Sequence, residues 1–163
     1  MTIAALPTPL TFDVVAGITD PSGKTPVQAA RDRIADTATG WGVPLSRAAL
    51  ADVRLCASEI ITNALIHAAG HCTVSVTWTG EHLRVDVTDR SIRVPVLTSS
   101  DTSARSGRGL ALVEALAHSW GWEPKQRGKV VHFLVAADAA IAGEPRLSVL
   151  LHTARARAEP VPA

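Results

Sequence analysis

The chain has 163 residues, of which 47% are hydrophobic and only 19% charged, and its formal net charge is +1. This length fits one domain. The composition excludes a wholly disordered chain and a strongly basic nucleic-acid binder. Mean hydropathy is +0.18, yet no apolar run approaches the ~18–20 residues of a membrane span. The richest stretch, Val130 to Ala142, is broken by His132 and Asp138. The start of the chain lacks a basic region followed by an apolar run, so no signal peptide is expected. The two cysteines, Cys56 and Cys72, are too few for a disulfide scaffold. A reduced, cytoplasmic setting is the simplest expectation.

Residues 1–25 read as an extended lead-in, with one possible edge strand from Leu10 to Val15. Gly17 to Pro26 is rich in turn residues. Pro26 suits a first helical turn. Val27, Ala30, Ile34 and Ala38 then recur at helical spacing until Gly40 and Gly42. A second helix should start at Ser46, a good N-cap, and run to about Ala68 before Gly70. Leu50, Val53, Ala57, Ile60, Ile61, Ala64 and Leu65 make its apolar face. Asp52, Cys56, Glu59, Asn63 and His67 make a separate stripe at spacings of three and four.

Two alternating strands follow. Cys72, Val74, Val76 and Trp78 share one side, and after Gly80-Glu81 so do Leu83, Val85 and Val87. Asp89 ends the second strand. Residues 90–106 have no period and read as a long loop, a feature that in compact domains is usually functional. Gly107-Arg108-Gly109 leads into a helix from Leu110 to about His118. Residues 119–123 and 129–136 read as a closing strand pair around Pro124 to Gly128. The tail from Ala137 reads as weakly structured.

Four features in order carry the chemistry. They are Glu59-x-x-x-Asn63 on a helix, Asp89 at a strand end, the long loop, and Gly107-x-Gly109-Leu110. Each is ordinary when taken singly, since Glu59 and Asn63 alone would be a solvated stripe and Asp89 alone a turn residue. Together they fit a nucleotide site. A glycine-flanked helix start attracts phosphate through free N–H groups and the helix dipole. The Asn63 amide oxygen suits Mg²⁺, a hard cation that shares few protein oxygens with phosphate and water. Glu59 could take a proton from a hydroxyl or water attacking a γ-phosphate. Asp89 could accept from an exocyclic amine, and the loop could close as a lid. Arg105 and Arg108 flank the phosphate position and could pair with it. His67 reads as a helix-end histidine. Cys56, His67, His71 and Cys72 lack the spacing of a structural zinc site. The tryptophans Trp41, Trp78, Trp120 and Trp122 read as packing residues.

At these residues the sequence resembles a known family. Ser58 to His67, Ser-Glu-Ile-Ile-Thr-Asn-Ala-Leu-Ile-His, resembles the N box of the GHKL, or Bergerat-fold, ATPases. It is most similar to their branch of bacterial anti-sigma factors with serine/threonine kinase activity. Leu83 to Asp89 resembles the strand ending in that family's adenine-binding aspartate. Gly107 to Val113 resembles its second glycine box, and Trp120-Gly121 with Gly128-Lys129-Val130-Val131 resembles its closing hairpin. Trp41-Gly42 also fits, and the resemblance covers roughly residues 27–136.

The resemblance implies an α+β fold of two layers, a mixed, mostly antiparallel sheet with helices on one face. Residues 26–137 would be the ATPase domain, preceded by the N-terminal extension and followed by a tail. It implies ATP and Mg²⁺ as cofactors, Glu59 as general base and Asn63 as the Mg²⁺ ligand. Asp89 would bind adenine, and Gly107, Gly109 and Leu110 would sit at the phosphates. A sigma factor and an anti-sigma-factor antagonist protein would be the partners, with a homodimer possible and no direct contact to nucleic acid or membrane. Two positions depart from the family. Its first glycine box, Asp-x-Gly-x-Gly, stands here as Asp89-Arg90-Ser91-Ile92-Arg93. Ser91 is small enough for a tight turn at some strain. Val130 stands where the closing hairpin often carries threonine, which leaves the base without that polar support. These departures motivate an alternative, a non-catalytic, nucleotide-gated or nucleotide-free binding module of the same fold. A sensor histidine kinase is a weaker alternative, since no helix pair carrying a phosphorylated histidine is evident.

Overall fold

The computed structural model describes residues 5–97 and 105–138, with the backbone alone for 105–108. Its elements are β1 (Leu10–Val15), α1 (Pro26–Gly40), α2 (Arg47–His67), β2 (His71–Trp78), β3 (His82–Asp89), α3 (Arg105–Leu116), β4 (Ser119–Lys125) and β5 (Gly128–Ala136). The strands form one sheet in the order β1-β2-β3-β5-β4. The sheet, expected to be mixed and mostly antiparallel, is antiparallel at every pairing among the described residues. The tail beyond Asp138 and the middle of the expected lid, residues 98–104, lie outside the described residues.

The layering follows from the two periodicities. Alternate residues of β2, β3 and β5 point to one side: Val74 and Val76, Val85 and Val87, Val131 and Phe133. They pack with Ile34 of α1, Val53, Ile60 and Ile61 of α2, and Val113 of α3 in one core. Cys56, which the helical spacing places on the polar stripe of α2, is fully buried in that core. The other side of the sheet is polar: the Thr11 and Ser75 hydroxyls lie 3.1 Å apart, and Arg84 donates to Asp86 at 2.8 Å. One apolar face and one polar face make two layers rather than three.

Local chemistry sets the helix ends. Thr25 caps α1, accepting from the Gln28 N–H at 3.2 Å, while the Gln28 side chain accepts from the Thr25 N–H at 3.0 Å. This capping box fixes the start ahead of Pro26. Ser46 caps α2 as expected, accepting from the Ala49 N–H at 3.1 Å. The α2 exit is left-handed at Ala69 and Gly70, with φ of 53° and 75°. It turns the chain straight into β2, and so places the polar stripe of α2 above one end of the sheet.

Candidate functional site

A cavity of about 220 Å³ opens at that end. Asn63, Ala64 and His67 of α2, Asp89 of β3, Arg93 to Val96 of the following segment, Leu110 of α3 and Lys129 of β5 line it. Whole-ligand pockets typically span ~300–1,000 Å³, so this cavity is large enough for only part of such a ligand.

Asp89 is the last residue of β3 and is 4% exposed. Its Oδ1 accepts the Ser91 N–H at 2.7 Å and the Lys129 ammonium at 2.9 Å. Ser91 is also buried, and its hydroxyl accepts the Arg93 N–H at 3.1 Å. Two side-chain-to-backbone turns thus shape a stretch that lacks the family's glycines. The strain expected at Ser91 is absent: among the described residues other than glycine, only Ala69 has a positive φ.

Val130 does not face this site. The inward residues of β5 are Val131, Phe133 and Val135, and Lys129 continues that phase. Lys129 is the register partner of Asp89, whereas Val130 pairs with Thr88. The polar group that reaches this end of the sheet from β5 is therefore one residue earlier, the buried Lys129 ammonium. The spacing of β5 contained the signal, since a lysine in the inward phase of an apolar strand needs a partner.

Asn63 lines the cavity. Glu59, one turn earlier, stands against α3: a Cβ added to Gly109 would run into its carboxylate. Here α3 starts at Arg105, five residues before the expected Leu110. Arg105, Gly107 and Arg108 therefore lie in its first turn, and their side chains are outside the described residues. Glycine inside a helix costs about 1 kcal/mol against alanine, and at Gly109 it allows the close approach of α2. Leu110 is buried beside it and lines the cavity. The Trp120 indole N–H donates to Glu114, tying β4 to α3. The β4 strand runs through Pro124, within the expected turn. It is an edge strand, where the missing N–H is tolerated.

The site residues thus come from α2, β3, α3 and β5, in the order the motifs predict. Residues 21–134 match the histidine kinase-like ATPase domain. The chain belongs to this family. An anti-sigma F factor of Pasteuria penetrans is 34% identical over 79 residues, 40% of this chain, which spans about half of that protein (53%). An uncharacterized protein of Streptomyces coelicolor is 41% identical over 96 residues, 53% of this chain and 86% of the other.

For a histidine kinase-like ATPase domain, the residues present fit nucleotide with magnesium. Among the described residues no three His, Cys, Asp or Glu side chains converge on a metal position. Mg²⁺ does not require such a cage, because phosphate and water supply most of its ligands. The Asn63 amide, exposed to the cavity, would supply the protein oxygen. Cys72 is no nucleophile here: burial first, and then the Asp89 charge, push its thiol up to about 12. Cys56 is held near the same value by burial. Among the described residues no helix is long and apolar enough to cross a membrane.

Proposed function

We propose that this protein is an ATP- and Mg²⁺-binding anti-sigma regulator with serine/threonine kinase activity on an antagonist protein. The observation that carries the reading is the cavity where Asn63 and Asp89 meet, beside a Glu59 carboxylate backed by Gly109, in a chain of this ATPase family. The similarity to an anti-sigma F factor supports the regulatory part.

In this reading Asp89 and its neighbours hold the base, and the first turn of α3 takes the phosphates. Asn63 would hold Mg²⁺, which would supply positive charge against the phosphates. Glu59 receives the proton of a serine or threonine hydroxyl. The hydroxyl oxygen bonds to the γ-phosphorus, the β–γ bridging P–O bond breaks, and ADP leaves. Ile92, Val94, Val96 and Leu97, all exposed on the segment leaving Asp89, offer a partner an apolar contact at the mouth of the site.

The test is binding of a fluorescent ATP analogue, with and without Mg²⁺, to the wild type, Asn63→Ala and Asp89→Asn. Saturable, Mg²⁺-dependent binding weakened in both variants supports the nucleotide site. Phosphate transfer from labelled ATP to a cognate antagonist, lost in Glu59→Gln, supports the kinase. A folded wild type that binds no nucleotide favours the second reading, a nucleotide-free docking module presenting the same exposed apolar segment.

A further inference from the structure

Among the described residues three polar side chains are buried: Asp89, Ser91 and Lys129. All three converge on one point. Lysine is almost never fully buried unless paired, and a buried ion pair is weak evidence for stability, because apolar residues of similar volume often serve as well. The pair is also not sealed in the core, since both partners line the cavity.

Counting donors and acceptors shows what the pair offers. An ammonium has three N–H donors. Lys129 directs one to Asp89 Oδ1 at 2.9 Å and a longer one to the Ser91 carbonyl at 3.4 Å. One donor remains. On the carboxylate, Oδ1 already takes the Ser91 N–H and Lys129, while Oδ2 has no partner among the described residues. Among the described residues the pair thus leaves one acceptor and one donor unmatched, on two side chains that line the cavity. The Watson–Crick edge of adenine is the complement: an N6 amine beside the N1 lone pair.

We propose that Lys129 is a second base-reading residue, which donates to adenine N1 while Asp89 Oδ2 accepts from N6. This rests on the nucleotide reading of the cavity and adds a positive determinant to it. It also discriminates against guanine. In the pose that reads adenine, Oδ2 would face the O6 acceptor of guanine and the ammonium its N1–H donor, so both contacts are mismatched. An unpaired buried donor weakens binding.

The experiment compares ATP, 1-deaza-ATP and GTP on the full chain by calorimetry, in the wild type and in Lys129→Met. The wild type should bind ATP at least about 10-fold more tightly than 1-deaza-ATP, the scale of one charge-assisted hydrogen bond, and should disfavour GTP. Lys129→Met should bind ATP and 1-deaza-ATP within about twofold of each other. A wild type that binds both equally overturns the proposal and leaves the ATP site standing, with Lys129 only neutralising Asp89. Discrimination that survives in Lys129→Met overturns it too. Because the analogue comparison is read first on the wild type, it does not depend on the variant folding. If the folded wild type binds none of the three, the nucleotide reading itself fails.

Discussion

Gly109 and Glu59 are in contact across the α2–α3 packing, with no space between them for even a methyl group. A glycine taken from its motif as a phosphate contact thus also makes room for the proposed general base. Gly109→Ala should push the Glu59 carboxylate aside. Displacement of a reacting group by about 1 Å can cost roughly 10²-fold in rate. Phosphoryl transfer should fall by about that factor while nucleotide affinity changes much less. A variant that loses both together would place Gly109 at the phosphates alone.

Gly128 has a φ of 121°, and a Cβ there would meet the backbone of Asp89 and Arg90. Gly128→Ala therefore combines left-handed strain with a clash at the end of β3. Strain of this kind costs about 1–3 kcal/mol. The clash adds to this, so urea unfolding should show a loss at or above the top of that range. Alanine at Gly40, a residue of α1 where a Cβ meets nothing within 4 Å, should be neutral to slightly stabilising by the same measurement.

His132 lies on the polar face of the sheet, its Nδ1 buried with no hydrogen-bond partner among the described residues and its ring against Gly121. Burial, then Arg84, hold its pKa below the ordinary 6.5, against opposing pulls from Asp86 and Glu123. The unfolded chain therefore takes up the proton first. Stability from this group is present above pH 6.5 and is lost as pH falls through the lower folded value. His132→Phe should flatten the acid side of a pH–stability curve measured by chemical denaturation. An unchanged curve would assign the acid limb to other groups.

Cys56 and Cys72 have ordinary values of 9.0 and folded values of about 12. The unfolded thiols ionise first, so their contribution holds below pH 9 and is lost between 9 and 12. At pH 8 a thiol reagent should label neither cysteine in the native protein and both in denaturant. Fast native labelling would mean that the α2–β2 packing opens readily.

Much of this was legible in the sequence. The spacing of Val53, Ile60 and Ile61 marks α2, Ser46 marks its start, and the alternation in β2 and β3 names their inward residues. Glu59, Asn63 and Asp89 stand out because they sit in ordered motifs. What was hidden depends on register. Lys129 acquires its meaning only when β5 lies beside β3 and brings it opposite Asp89. Gly109 and Gly128 matter for what approaches them from elsewhere in the chain. The early start of α3 was masked by Gly107 and Gly109, which argue against helix on propensity alone. The strand through Pro124 was masked because proline reads as a break until β4 is known to be an edge.

The pairing of β3 with β5 joins Asp89 to Lys129 across 40 residues of chain. Such a long loop must be closed before its contacts repay the lost entropy. A wall built from both strands should then be completed late in folding. A nucleotide that needs this wall would bind the native state and not the transition state. In a chevron it should lower the unfolding limb and leave the refolding limb in place, so that ATP acts as a clasp on the finished fold rather than a template for making it.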